Sequence, residues 1–245
     1  MKSIFLIISL NLIFSSSSLN PKTQICSNNY IQLEAMELLS KSISYHDSKN
    51  IWNKSRLLMN IEMTRPNRPK RNTQVEIDIS KSYFKSKVLQ EENKIEQMIE
   101  NEVCKITFNG NTSFSIDEIE KHKLTCQYAL KMRDYYTYLY GLPMKLKDPG
   151  TIIHPEVNSK VFKGKKYLVL KVDYEQSVGS DRWYFYFNPK SYALEAYQFF
   201  HDENKNDGEY ILLSDEKEIN GIKMPKIRSW FYNKDDQYLG TDTLK

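Results

Sequence analysis

Glycine is scarce in this 245-residue chain, and its eight copies are never grouped. There is accordingly no Gly-rich phosphate loop and no dinucleotide fingerprint. Neither a G-x-S-x-G elbow nor an H-E-x-x-H pair occurs, and no serine adjoins a histidine in a familiar order. Acyl transfer, phosphoryl transfer and dinucleotide chemistry therefore lack the residues they ordinarily use. The four histidines and three cysteines are dispersed, which excludes a zinc-type ligand spacing. Asp202 to Glu209 is rich in carboxylates, but the sixth and twelfth places counted from Asp202 hold Asp207 and Leu213, where a helix-flanked calcium loop needs Gly and Glu. Positive charge is equally diffuse: the net +4 is spread along the chain, and Lys121 to Lys123 and Lys163 to Lys166 are short clusters that read as solvated surface. A nucleic-acid partner needs a more concentrated patch than that. No metal or cofactor is expected, and the balance is against catalysis.

The first 18 residues carry Lys2, an apolar stretch from Ile4 to Phe14 and then Ser15 to Ser18, the three parts of a secretory signal peptide. No later run approaches the roughly 20 apolar residues of a membrane span. Cys26 follows Ile25 rather than a small residue, so lipidation is not expected, and residues 19–27 read as a flexible segment. The chain is expected to be periplasmic or secreted. Residues 28–245 suit a single β-rich domain. In an exported protein three cysteines make a pair and one left over. Cys104 ends a strand-like stretch and Cys126 begins a helix, so a Cys104–Cys126 bridge is predicted, closing a loop of about 20 residues.

Ile31, Ala35, Leu38, Leu39 and Ile43 form one stripe of a helix over Asn29 to Tyr45. From Leu57 the period becomes two, with Leu57, Met59, Ile61 and Met63 on one face, and then Val75, Ile77 and Ile79 after the Arg65-Pro66-Asn67 break. Shorter strands are predicted over Tyr83 to Val88, Lys94 to Glu100 and Glu102 to Phe108. Ser115 with Glu118 is a capping box. The spacing of Leu130, Arg133, Asp134, Thr137 and Tyr138, stopped by Gly141 and Pro143, predicts a helix from Thr125 to Tyr140. Tyr135, Tyr136, Tyr138 and Tyr140 surround its last turns, so some rings must meet protein, ligand or partner. Leu142 to Pro155 has no periodicity and reads as a long, lid-like loop. Beyond it, strands at Lys160 to Phe162, Lys166 to Tyr174, Arg182 to Phe187, Ala193 to His201, Tyr210 to Glu218 and Ile222 to Tyr232 are joined by good turn formers, the pattern of an antiparallel meander.

Trp183-Tyr184-Phe185-Tyr186-Phe187 is aromatic on both faces, so neither face of that strand is expected to meet water alone. Trp183, Phe185 and Phe187 suit a helix-covered face, whereas Tyr184, Tyr186, Glu195, Tyr197 and His201 carry polar tips suited to a cavity. The predicted ligand-lining residues are Trp183, Tyr184, Tyr186, Tyr197, Phe199 and Tyr210, with Arg133 and His201 as polar anchors. His46-Asp47 and His201-Asp202-Glu203 are the two places where histidine adjoins carboxylate, and an acid–base site built from both would be the enzymatic alternative.

Tyr45-His46-Asp47, Thr64-Arg65-Pro66, the block Arg133 to Pro143, Asp148-Pro149-Gly150, Trp183 to Tyr186 and Tyr192 to Tyr197 resemble an uncharacterised family of secreted bacterial proteins. That family brings no established activity and no catalytic residue. Its order of elements is similar to the half-barrel of periplasmic lipoprotein carriers of the LolA/LppX type. The resemblance implies an α+β fold, an open antiparallel sheet with helices covering its concave side. A non-enzymatic protein holding an apolar or lipid-like ligand is the expected function. A cell-envelope scaffold, docking envelope proteins through its tyrosine helix, is the other alternative.

Overall fold

The period-two stretches do become strands, and they join into a single antiparallel sheet of 13. A computed structural model describes residues 33–101 and 103–245. The predicted signal peptide, the segment predicted to follow it and Cys26 lie outside the described residues. The first half contains α1 (Ala35–His46), β1 (Arg56–Arg65), β2 (Arg68–Asp78), β3 (Tyr83–Gln90), β4 (Asn93–Glu100) and β5 (Val103–Phe108). Two helices follow, α2 (Ile116–His122) and α3 (Cys126–Gly141). The second half is β6 (Thr151–Ile153), β7 (Asn158–Phe162), β8 (Lys165–Tyr174), β9 (Arg182–Phe187), β10 (Leu194–Phe200), β11 (Glu209–Ile219), β12 (Ile222–Tyr232) and β13 (Tyr238–Leu244).

Two meanders make the sheet, and the pairing of β1 with β13 fuses them in the order β5-β4-β3-β2-β1-β13-β12-β11-β10-β9-β8-β6. β7 shares the β8 edge with β6. The path does not close, so the sheet is an open half-barrel with β5 at one edge and β6 and β7 at the other. Helices lie across its concave side. Leu38 and Leu39 of α1 and Ala129, Tyr136, Leu139 and Tyr140 of α3 share one buried cluster with Leu57, Met59, Val75, Phe84, Phe185, Tyr197 and Ile211 of the sheet.

Local chemistry fixes the helix ends. Ser115 accepts from the Glu118 N–H while the Glu118 carboxylate takes the Ser115 N–H at 2.8 Å, the full capping box at the start of α2. Thr125 caps α3 through the Tyr128 N–H. One residue further on, Cys126 is bonded to Cys104 of β5, which ties the start of α3 to the sheet edge. Gly141 ends α3 against the Trp52 indole, where an added Cβ would lie 2.4 Å from a ring carbon.

Three sequence expectations need correction. Leu142 to Pro155 is not one unbroken loop: it holds a 3-10 turn at Met144–Lys147, and Thr151–Ile153 pairs with β8. The C-terminal β13 was not anticipated. Tyr197 lies on the same face as Trp183 and Phe185 rather than with Tyr184 and Tyr186, because the β9–β10 register sets Tyr197 opposite Phe185 after a shift between Leu194 and Ala196.

Candidate functional site

The two aromatic faces of β9 meet different surroundings. On the convex face Tyr184 and Tyr186 join Tyr167, Val169, Ala196 and Phe200 in a second buried cluster. Phe162 of β7 stacks on Tyr186 at 4.5 Å, and Lys163 lies 4.3 Å over the Tyr210 ring. Their hydroxyls are occupied as well: Tyr184 donates to Glu203 and Tyr186 to Gln198, each at 2.7 Å. Tyr184, Tyr186 and Tyr210 thus form a self-contained outer layer.

On the concave face the rings meet α3. Each of its four last-turn tyrosines finds a sheet partner: Tyr135 stacks on Trp230, Tyr136 on Phe84, Tyr138 packs edge-on to Trp183 at 5.6 Å, and Tyr140 faces Arg228. Beside this seam opens a cleft of about 440 Å³. One wall is Asp134, Thr137 and Tyr138 of α3; the loop residues Lys145, Asp148 and Pro149 form a second; Tyr174, Val178 and Trp183 form the third. Trp183 continues inward, stacking on Phe199 at 4.8 Å and lying 6.1 Å from the Tyr197 ring. Trp183 thus joins the wall of the cleft to the aromatic packing of the covered concave face.

The mouth is acidic, with its charges matched. Asp134 pairs with Arg133 at 2.9 Å, Asp148 with Lys145, and Asp181 with His201 at 2.7 Å. The Asp181 hydrogen bond holds His201 above the usual histidine range. Deeper in, the Tyr138 and Tyr174 hydroxyls bond to each other and join α3 to β8. Burial pushes Tyr174 up to about 12 and raises Tyr138 well above its ordinary value, so both phenols remain protonated hydrogen-bonding groups. The cleft offers apolar surface, rim charges and neutral hydroxyls.

The structure separates the eight predicted lining residues. Trp183 lines the cleft, Tyr197 and Phe199 lie behind it, Arg133 and His201 sit in rim ion pairs, and Tyr184, Tyr186 and Tyr210 are on the other face. The two histidine–carboxylate pairs are also kept apart. His46 is buried and uses both ring nitrogens, Nδ1 donating to the Lys223 carbonyl at 2.8 Å and Nε2 accepting from the Leu194 N–H at 2.9 Å. Asp47 accepts from the Ile51 and Trp52 N–H groups. Both residues hold α1 to the sheet and to the following turn. Among the described residues, no cluster of three or more His, Cys, Asp and Glu is placed to hold a metal.

Burial holds His46 below the usual histidine range. Its contribution to stability is then complete above the unfolded value near 6.5, and is lost as pH falls from there through the lowered folded value. In urea unfolding, the wild type should lose more stability between pH 7.5 and 5.5 than a His46→Gln variant does. Parallel pH profiles would contradict this role.

Sequence reasoning missed Arg228 and Asp242, both buried on the concave face. It also missed His154, which pairs with Asp173 at 2.8 Å, while Arg182 bridges Asp173 and Glu203 in a network near the start of β9. Only the β6–β8 register, which no local pattern displays, brings His154 beside β8 and its Asp173.

These features define a class: an open antiparallel half-barrel whose concave face is covered by a tyrosine-rich helix, with an aromatic cleft at the helix's flank. The chain belongs to the family of unknown function DUF6503, which matches it over residues 21–245. No curated protein matches the sequence. Among solved structures the chain is similar to a LolA superfamily protein from Nitrosomonas europaea, at 12% identity and a TM-score of 0.49 over 86% of this chain and 91% of that one. It is also similar to a putative outer membrane lipoprotein-sorting protein domain from Vibrio parahaemolyticus, at 7% identity and a TM-score of 0.44 over 86% and 89%. A DUF1329 family protein from Desulfovibrio piger gives 7% identity and a TM-score of 0.46 over 86% and 90%. These are distant likenesses of architecture. No helix among the described residues is long and apolar enough to cross a membrane.

Proposed function

We propose that this protein is an exported binding protein that takes an apolar or lipid-like ligand into the concave face of its sheet, with α3 and the loop after it as cover. The observation that carries the reading is the aromatic wall of the cleft: Trp183 lines it and is itself packed on Phe199 and Tyr197 of the covered concave face. A cleft of that size suits part of a chain-like ligand. Further room would come from displacement of α3, whose C-terminal half is held to β8 by the Tyr138–Tyr174 hydroxyl contact. Trp183, Tyr197 and Phe199 would contact the ligand, and Arg133 and His201 would border its entrance. The signal-peptide pattern of residues 1–18 supports a place in the periplasm or outside the cell.

The test is a fluorescence titration with 1-N-phenylnaphthylamine, a neutral apolar probe. Trp183→Asp sets a charge in the inner wall and should weaken binding about 100-fold, while Tyr210→Ala on the convex face should leave it unchanged. Equal affinity in Trp183→Asp and wild type, or loss only in Tyr210→Ala, would move the ligand to the other face.

A further inference from the structure

Beneath α3 the apolar lining of the half-barrel is interrupted by charge. The strand registers set Arg71 of β2 and Asp242 of β13 on either side of Met63, and Asp242 opposite Arg228 of β12. Arg228 and Asp242 are only 2% and 1% exposed. Burying charges so deeply costs several kcal/mol per ion unless each is well partnered, and these are not. The single hydrogen bond of the Arg228 guanidinium runs from Nη1 to the Pro225 carbonyl, and its face lies 3.8 Å from the Tyr140 ring centroid. Arg228 Nε, Arg71 Nε and Asp242 Oδ1 have no hydrogen-bond partner within the protein. Nor do the Tyr140 and Tyr197 hydroxyls and the Trp230 Nε1–H, which are borne by rings of the same seam.

The donors outnumber the acceptors. Arg71, Arg228 and Arg65 all act on Asp242, three guanidinium groups against one carboxylate, yet burial keeps the Asp242 carboxyl above its ordinary range. The Trp230 indole N–H adds to that surplus, and the two tyrosine hydroxyls can each donate as well as accept. Guanidinium groups with free N–H bonds, deep in an apolar trough, are the means by which proteins grip a carboxylate or phosphate. We infer that this polar floor, centred on Arg228, holds an oxyanion, the carboxylate or phosphate of an amphiphilic ligand whose apolar part lies along the concave face towards Trp183. The inference rests on the binding role proposed above, and it makes the ligand an anionic amphiphile. Tyr140 of α3 lies directly over the Arg228 guanidinium, so α3 must shift when the headgroup enters.

The test compares an anthroyloxy-labelled stearic acid with its methyl ester, equal in chain and label, at pH 8. Wild type should bind the acid about tenfold or more tightly than the ester, the scale of a charge-assisted hydrogen bond. Arg228→Gln should abolish that preference and leave ester affinity unchanged. Asp242→Asn, which removes the opposing carboxylate, should tighten the acid about threefold; it is the second variant should Arg228→Gln fail to fold. Equal binding of acid and ester by wild type, with no thermal stabilisation by millimolar inorganic phosphate, overturns the oxyanion site but spares the carrier reading. A preference that survives Arg228→Gln also overturns it. Binding of neither probe overturns the carrier reading and this inference together. Thermal stabilisation by millimolar inorganic phosphate, lost in Arg228→Gln and seen without an acid preference, upholds the oxyanion site with a free anion as its source.

Discussion

Replacing Gly208 by alanine should lower stability by about 3 kcal/mol or more, a fall of roughly 10 °C in Tm for a domain of this size. Gly208 has φ +81°, a conformation that costs a residue with a Cβ about 1–2 kcal/mol. Its added Cβ would also lie 2.2 Å from the Phe199 carbonyl oxygen. That carbonyl cannot easily retreat, because it accepts from Asn233 Nδ2 at 2.9 Å and belongs to a residue paired with Glu209. Relief would have to come from parting β10 and β11 beside the aromatic seam. Gly164 supplies the control: it has a similar φ of +79° with no atom within 4 Å of the added Cβ, so Gly164→Ala should cost only the backbone term. Thermal melts of the two variants check the argument, and equal losses would contradict it.

Removal of the Cys104–Cys126 bond is the second large effect. The half-cystines are 22 residues apart. In the chain-entropy model a loop of that length stabilises by about 3 kcal/mol. A Cys104→Ser, Cys126→Ser double variant should lose that much in urea unfolding. The loss has a location as well, since the bond joins the first residue of α3 to edge strand β5. Limited proteolysis should accordingly cut the variant first between Ser115 and Gly141. An unchanged urea midpoint would mean that capping and the α3 seam alone hold the helix.

The elements that carried both a period and a stop signal were legible in the sequence. α3 differs from the predicted helix by one residue at each end, and the box at Ser115 formed. β13 shows why other parts were not. Its core-facing positions are Gly240, Asp242 and Leu244, so it lacks the apolar alternation that announces a strand. Arg228 hides differently: it shares its face of β12 with Ile222, Met224, Lys226 and Trp230, a mixed set that does not announce a buried arginine, and it lies opposite Asp242. The polar floor that makes the site chemically specific is what erased its sequence signal. Tyr197 was assigned to the wrong face because its side depends on cross-strand register, which a single strand does not encode.

Photolabelling with a diazirine-bearing fatty acid, mapped to single residues by mass spectrometry, tests the central claim most directly. If the concave face under α3 holds the ligand, labels will fall on Tyr138, Trp183, Tyr197 or Phe199 and will be suppressed by excess unlabelled fatty acid. Labels on Tyr184, Tyr186 or Tyr210, or labelling that excess fatty acid leaves undiminished, would contradict it.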